Sequence, residues 1–192
     1  MEWDVLGDNR GLMAFPRRIK GSKTRPRRLP IDINQDEFIQ LMENTPKRRH
    51  RIAFLMAFGS GLRLSEVIHL DKQDFDFVTG QLKVRMGKGK KDRIVPIPKG
   101  FKEEYLHHIP FEFENRSLQK AFMRACERGG IYIKKPSATF HSLRHGFATS
   151  CLRNGISLRA IQRMLGHSDL STTGIYLDLC PEEILEEYQR KF

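Results

Sequence analysis

FDFVTGQLKVRMGKGKKDRIVPI, residues 75 to 97, is the stretch that decides the fold class. Phe75 and Phe77, the turn pair Thr79-Gly80, then Leu82, Val84 and Met86, the run Gly87 to Lys90, and finally Ile94 to Ile97 read as three short antiparallel strands joined by tight turns. On either side the sequence turns helical. Upstream, Asn34 and Glu37 form a capping-box pattern ahead of Phe38, Leu41 and Met42, which predicts a helix over about 35 to 44. Thr45 and Pro46 open a second helix whose centre, Ile52 to Phe58, is apolar on every side and therefore belongs in a core; Gly59 and Gly61 end it, and a short helix, Leu64 to Leu70, follows. Downstream, four helices are predicted near 100 to 108, 117 to 128 (stopped by Gly129-Gly130), 141 to 153 (stopped by Asn154-Gly155) and 157 to 165. Pro181 begins a last amphipathic piece with Ile184, Leu185 and Tyr188 on one face. No internal repeat is present. The class is α+β, mainly α-helical, with one small three-stranded antiparallel sheet. Residues 1 to 28 read as a basic arm or linker, 29 to 180 as one folded domain, and 181 to 192 as a C-terminal helix.

The composition points to a polyanionic partner. The chain has 192 residues, 34 of them Lys or Arg against 23 Asp or Glu, for a net charge of +11. A hydrophobic fraction of 39% is enough for a packed core and too high for a disordered chain. The cations are clustered: residues 16 to 28 carry seven, 46 to 51 carry four and 83 to 93 carry six, together half of the total. Each phosphate neutralised releases condensed counterions, so such clusters favour nucleic acid over a merely solvated surface. No apolar stretch approaches a membrane span, the N-terminus has no signal-peptide pattern, and a cytoplasmic protein is expected. Cys126, Cys151 and Cys180 lie far apart without a C-x-x-C pair and read as buried thiols.

Several motifs carry chemistry. GSGLRLSE, residues 59 to 66, follows an apolar helix rather than a strand and is neither a dinucleotide fingerprint nor a Walker loop. Arg63 stands just past this glycine-rich helix end and needs an anionic partner; the plain structural alternative is an ion pair with Glu66. In HSLRHGFAT, residues 141 to 149, His141, Arg144 and His145 share a helix face near its N-terminus. The i, i+4 histidines resemble zinc spacing, but the general-base glutamate is missing and a cation sits between them, which argues against a metal. Arginine and histidine there suit an anionic oxygen, and core histidines are the alternative. His167 follows Leu165-Gly166, and Tyr176 comes nine residues later. Arginines, histidines, a lysine-rich hairpin and a tyrosine, without a carboxylate pair, suit attack of a phenol on a phosphodiester.

At these residues the sequence resembles the tyrosine recombinases, the phage integrase and Xer-like family. The family's G-L-R-x-S-E block, G-K-G-x-K-x-R hairpin, H-x-L-R-H helix, L-G-H turn and following tyrosine are met in order by Arg63 with Glu66, Lys88, His141 with Arg144 and His145, His167, and Tyr176. The resemblance spans about residues 30 to 180 and implies the tyrosine recombinase catalytic-domain fold. It implies a site-specific recombinase that cuts and rejoins double-stranded DNA through a 3′-phosphotyrosine, without metal or ATP. Family members usually carry an N-terminal helical domain that closes the other half of a clamp around DNA. Here only residues 1 to 28 precede the domain, so either a fragment or a minimal enzyme is expected.

The resemblance also implies roles. Arg63 and Arg144 hold the nonbridging phosphate oxygens, Tyr176 attacks, Lys88 protonates the leaving 5′ oxygen, His141 and His167 donate hydrogen bonds or move the tyrosine's proton, and Glu66 and His145 support them. Arg17, Arg18, Arg27, Arg28, Lys47, Arg48, Arg49, Lys90, Lys91 and Arg93 are the expected DNA contacts within the basic clusters. A multimer on DNA assembled from chains monomeric in solution is expected, with the C-terminal helix docked either on its own domain or on a neighbouring protomer. Two rivals share parts of this pattern: a type IB topoisomerase, which relaxes supercoils by the same chemistry, and a non-catalytic integrase remnant that only occupies DNA.

Overall fold

The computed structural model describes residues 30–85 and 92–166. Seven α-helices and three strands follow one another as α1 (Gln35–Glu43), α2 (Arg48–Ser60), α3 (Leu64–Ile68), β1 (Phe75–Asp76), β2 (Gln81–Val84), β3 (Arg93–Pro96), α4 (Asn115–Arg128), α5 (Ile131–Lys134), α6 (His141–Arg153) and α7 (Leu158–Leu165). The strands form one antiparallel sheet in the order β1-β2-β3, with Phe75 opposite Leu82 and Val84 opposite Arg93. This is the α+β class expected, with the sheet inserted between α3 and α4.

Local signals account for most boundaries. The Asn34 side chain accepts from the Glu37 N–H at 2.9 Å while the Glu37 carboxylate accepts from the Asn34 N–H at 2.9 Å, so two otherwise orphaned donors start α1. α2 is the core helix, with Ile52, Ala53, Phe54, Met56, Ala57 and Phe58 all buried. Phe54 meets Phe122 and Phe140 edge-on at centroid distances of 5.9 and 6.0 Å, joining α2 to α4 and to the start of α6. Such rings each contribute about 1.5–3 kcal/mol through burial. A smaller cluster of Phe147, Ala148, Cys151, Ile161 and Leu165 seats α7 on α6. Cys126 and Cys151 are buried free thiols, as expected, and burial pushes them up to about 12 and about 11.

Gly146 lets the lead-in segment lie against α6. The Ile33 N–H donates to the Ser142 carbonyl at 3.1 Å, and a Cβ at position 146 would stand 2.1 Å from the Ile33 carbonyl oxygen. Only a glycine fits that approach.

Several elements differ from the sequence expectation: α2 opens at Arg48 rather than at Pro46, and α3 ends at Ile68 rather than at Leu70. The helix expected near 100 to 108 is a 3-10 helix, Glu103–His108; Pro110 restricts the backbone of Ile109 and leaves no room for an α-helix to continue. α4 begins two residues earlier than expected, at Asn115. The turn after Gly129-Gly130 closes into the short α5, which no periodicity announced. Met86, the run Gly87 to Lys90, Cys180, the arm at 1 to 28 and the helix at 181 to 192 lie outside the described residues. Among the described residues no helix is long and apolar enough to cross a membrane.

Candidate active site

α2 ends where Gly61 takes a left-handed backbone conformation at φ 66°, and the chain turns directly into α3 with Arg63 as the residue before its first turn. One turn on, Glu66 folds back. Its carboxylate accepts from the Arg63 backbone N–H at 2.7 Å and from Arg63 Nη1 at 2.8 Å. The ion pair weighed from the sequence therefore forms, but it uses one edge of a guanidinium that stays 34% exposed.

Arg93, expected among the DNA contacts, is instead enclosed. Its side chain is 7% exposed and lies across Glu66, with Nη1 2.9 Å from Oε1 and Nη2 2.8 Å from Oε2, while Nε donates to the Met164 carbonyl at 2.6 Å. The reason is strand alternation. β3 turns Arg93 and Val95 inward and leaves Ile94 half exposed, so the cation, not the aliphatic residue, faces the interior.

Arg144 completes the group. Reaching from α6, it is 1% exposed; Nη1 donates to the Gly61 carbonyl at 2.7 Å, Nη2 donates to the Leu165 carbonyl, and Nη1 stands 3.8 Å from Glu66. Three guanidinium groups thus surround one carboxylate. Burial by itself would push the Glu66 carboxyl up, but hydrogen bonds from Arg93 and from the Arg63 N–H, with the attraction of the cations, hold it at about 2. Glu66 is ionised at any physiological pH.

His141 opens α6 and packs edge-to-face with His145, ring centroids 4.8 Å apart, so the i, i+4 pair meets while Arg144 turns into the core between them. His141 keeps an exposed edge. Enclosure of its ring by protein, and then the charges of Arg144 and Arg63, push it below the usual imidazole value, with Glu66 opposing. It is neutral at pH 7, able to donate from one nitrogen and accept at the other.

The remaining expected residues separate into two groups. Lys88, Lys90, Lys91, His167, Tyr176, Arg17, Arg18, Arg27 and Arg28 lie outside the described residues. Lys47, Arg48 and Arg49 are exposed at the start of α2, one helix length of about 18 Å from the Gly61 end. Arg48 pairs with Glu104 at 3.1 Å and lies over the Tyr105 ring at 5.0 Å. One feature escaped the sequence reading: Arg116, Lys120, Arg124 and Arg128 recur every fourth residue along α4 and are all exposed. Its signal was the i, i+4 spacing, which a search for contiguous charge runs passes over.

The order of the elements and the arginine group can be set beside known proteins. The family model described as "Phage integrase family" matches residues 32–109 and 112–183. The chain belongs to this family of tyrosine recombinases. Tyrosine recombinase XerA of Thermococcus kodakarensis is 36% identical over 200 residues, covering 94% of this chain and 69% of its own length. Among solved structures, the XerA recombinase superposes with a TM-score of 0.66 at 28% identity, over 86% of this chain and 66% of that one. The post-cleavage complex of XerH with its palindromic difH substrate has a TM-score of 0.68 at 23% identity, over 84% of this chain and 53% of that one. The chain spans about two thirds of the length of the curated XerA relatives it matches. Its fold is that of the tyrosine recombinase catalytic domain.

Proposed function

We propose that this tyrosine recombinase domain breaks and rejoins duplex DNA at a specific site through a 3′-phosphotyrosine on Tyr176, with no metal or nucleotide. The supporting observation is the group formed by Arg63, Arg93, Arg144 and Glu66, in which three cations meet one carboxylate and leave an excess of two positive charges at the end of α2. A phosphodiester, whose charge rises in the transition state, suits that field. Arg63 offers the open guanidinium edge; Arg144, enclosed and fixed by two carbonyls, engages the phosphate once DNA binding uncovers it. The planar fork of each fixes orientation as well as charge.

In this reading the Tyr176 oxygen forms a bond to phosphorus as the bond to the 5′ oxygen breaks. The phenol proton passes to His167, neutral His141 or solvent, and the leaving oxygen takes a proton from Lys88. General acid help of this kind contributes about 10² to 10⁴ in rate. The phosphotyrosine conserves the bond energy, so a second 5′ hydroxyl reverses the step. The cation row on α4, with Lys47 to Arg49 and the basic arm, supplies backbone contacts. XerH was captured on a palindrome, and a palindrome offers two equivalent half-sites; assembly of this chain on DNA as a multimer follows the same symmetry. In this reading the chain works on DNA in the cytoplasm, the location expected from its sequence.

A nicked suicide DNA tests the reading. The wild-type chain should trap itself covalently on the cleaved strand, and Tyr176→Phe should bind equally well and form no adduct. An adduct with the Phe variant would move the nucleophile elsewhere; none with the wild type would leave a binding module.

A further inference from the structure

The enclosed position of Arg93 has a use beyond neutralising Glu66. A cation at an inward strand position is uncommon because its desolvation costs several kcal/mol unless every donor edge is matched. Here the edges are matched by two different elements. The fork of Nη1 and Nη2 takes both oxygens of Glu66, one turn into α3, and Nε takes the Met164 carbonyl in the last turn of α7. The backbone of Arg93 belongs to a third element, since it pairs with Val84 at the loop end of the β2–β3 hairpin.

Space for this side chain is provided by Gly166, which caps the end of α7 after Leu165. Gly166 has φ 64°, and a Cβ there would stand 3.1 Å from Arg93 Cδ. Each of the three elements leads into a residue of the proposed chemistry. Arg63 is three residues before Glu66, His167 three after Met164, and Lys88 five before Arg93.

We infer that Arg93 is a positioning residue that fixes the loop end of the β2–β3 hairpin, from which the segment with Lys88 leaves in sequence, against the Arg63–Glu66 pair and the end of α7. The inference rests on the reading of Lys88 as general acid. A lysine at position 93 keeps the charge but is a compact ammonium without the planar fork, so it cannot hold both Glu66 oxygens and the Met164 carbonyl in the geometry that the guanidinium fixes. A misplacement on the order of 1 Å in a catalytic group costs on the order of 10²-fold in rate.

The test compares Arg93→Lys with the wild-type full chain on two suicide DNAs, one with the normal 5′ oxygen at the scissile bond and one with a 5′-bridging sulfur. The thiolate leaves without protonation and makes Lys88 dispensable. Arg93→Lys should cleave the oxygen substrate on the order of 10²-fold more slowly, and the sulfur substrate within about threefold of wild type, with unchanged DNA affinity. A merely structural role for Arg93 would slow both equally, and that result overturns the inference. If Arg93→Lys does not fold, Arg93→Gln carries the same comparison, because its amide keeps a donor towards Glu66 but not the planar fork. Lys88→Ala is run beside them. If it loses the oxygen substrate selectively while the Arg93 variant loses both equally, only the positioning role falls; if Lys88→Ala itself loses both equally, the general-acid reading falls and the positioning role with it.

Discussion

Glu66→Gln is the substitution whose effect the structure bounds most closely. The Glu66 side chain is 8% exposed and takes hydrogen bonds from Arg63 and Arg93, with Arg144 at 3.8 Å. The amide keeps the shape and loses the charge, leaving Arg93 and Arg144 enclosed without their shared carboxylate. Removing one member of a buried pair costs about 3–5 kcal/mol. Proton linkage reaches a similar figure independently. A carboxyl lowered from 4.5 to about 2 on folding contributes about 3 kcal/mol, at 1.36 kcal/mol per unit. Because the folded-state value is the lower one, this stability is fully present above pH 4.5 and is lost as pH falls towards 2. Urea unfolding of both proteins at a series of pH values is the assay. The gap between them should be about 3 kcal/mol at pH 7 and should narrow steadily below pH 4.5. A gap under about 1 kcal/mol at pH 7, or one independent of pH down to 2.5, would refute the view that Glu66 is the anion holding the three arginines together.

Other outcomes follow from particular contacts. Gly146→Ala should destabilise the domain by about 1–3 kcal/mol in chemical denaturation, because its methyl meets the Ile33 carbonyl; wild-type stability would mean that α6 and the lead-in segment are not in contact. Replacing Arg116, Lys120 and Arg124 by Gln should reduce the slope of log K against log salt by about 2 to 3 if all three neutralise phosphates, and an unchanged slope would place α4 away from DNA. The His141 ring should titrate in NMR spectra below 6.5, and in Arg63→Gln its midpoint should rise, since a neighbouring cation disfavours the imidazolium; a midpoint that does not move would separate His141 from the field of Arg63.

Much of the architecture was legible in the residues themselves because the signals concerned are local. The Asn34 and Glu37 box, the all-apolar centre of α2, the Thr79-Gly80 turn and the glycines at positions 61 and 129 act within a few residues, and each led to the element found. The arginine, histidine and tyrosine blocks were legible for a related reason, since their order along the chain survives whatever the distances between them in space.

The burial of Arg93 was not legible. Side chains alternate across a strand, so shifting the pairing by one residue would exchange Arg93 for Ile94 at the interior face; the register with Val84 decides it. Its partners Glu66 and Met164 lie 27 and 71 residues away in sequence, and those of Arg144, Gly61 and Leu165, lie 83 and 21 residues away. Gly146 was equally silent, because a glycine inside a helix carries no mark of the backbone that will cross it. Composition and spacing thus determined which chemical groups this chain possesses and in what order they come. Only tertiary packing decided which charges are enclosed and which remain open to DNA, because burial and ion pairing depend on contacts between elements that no local pattern encodes.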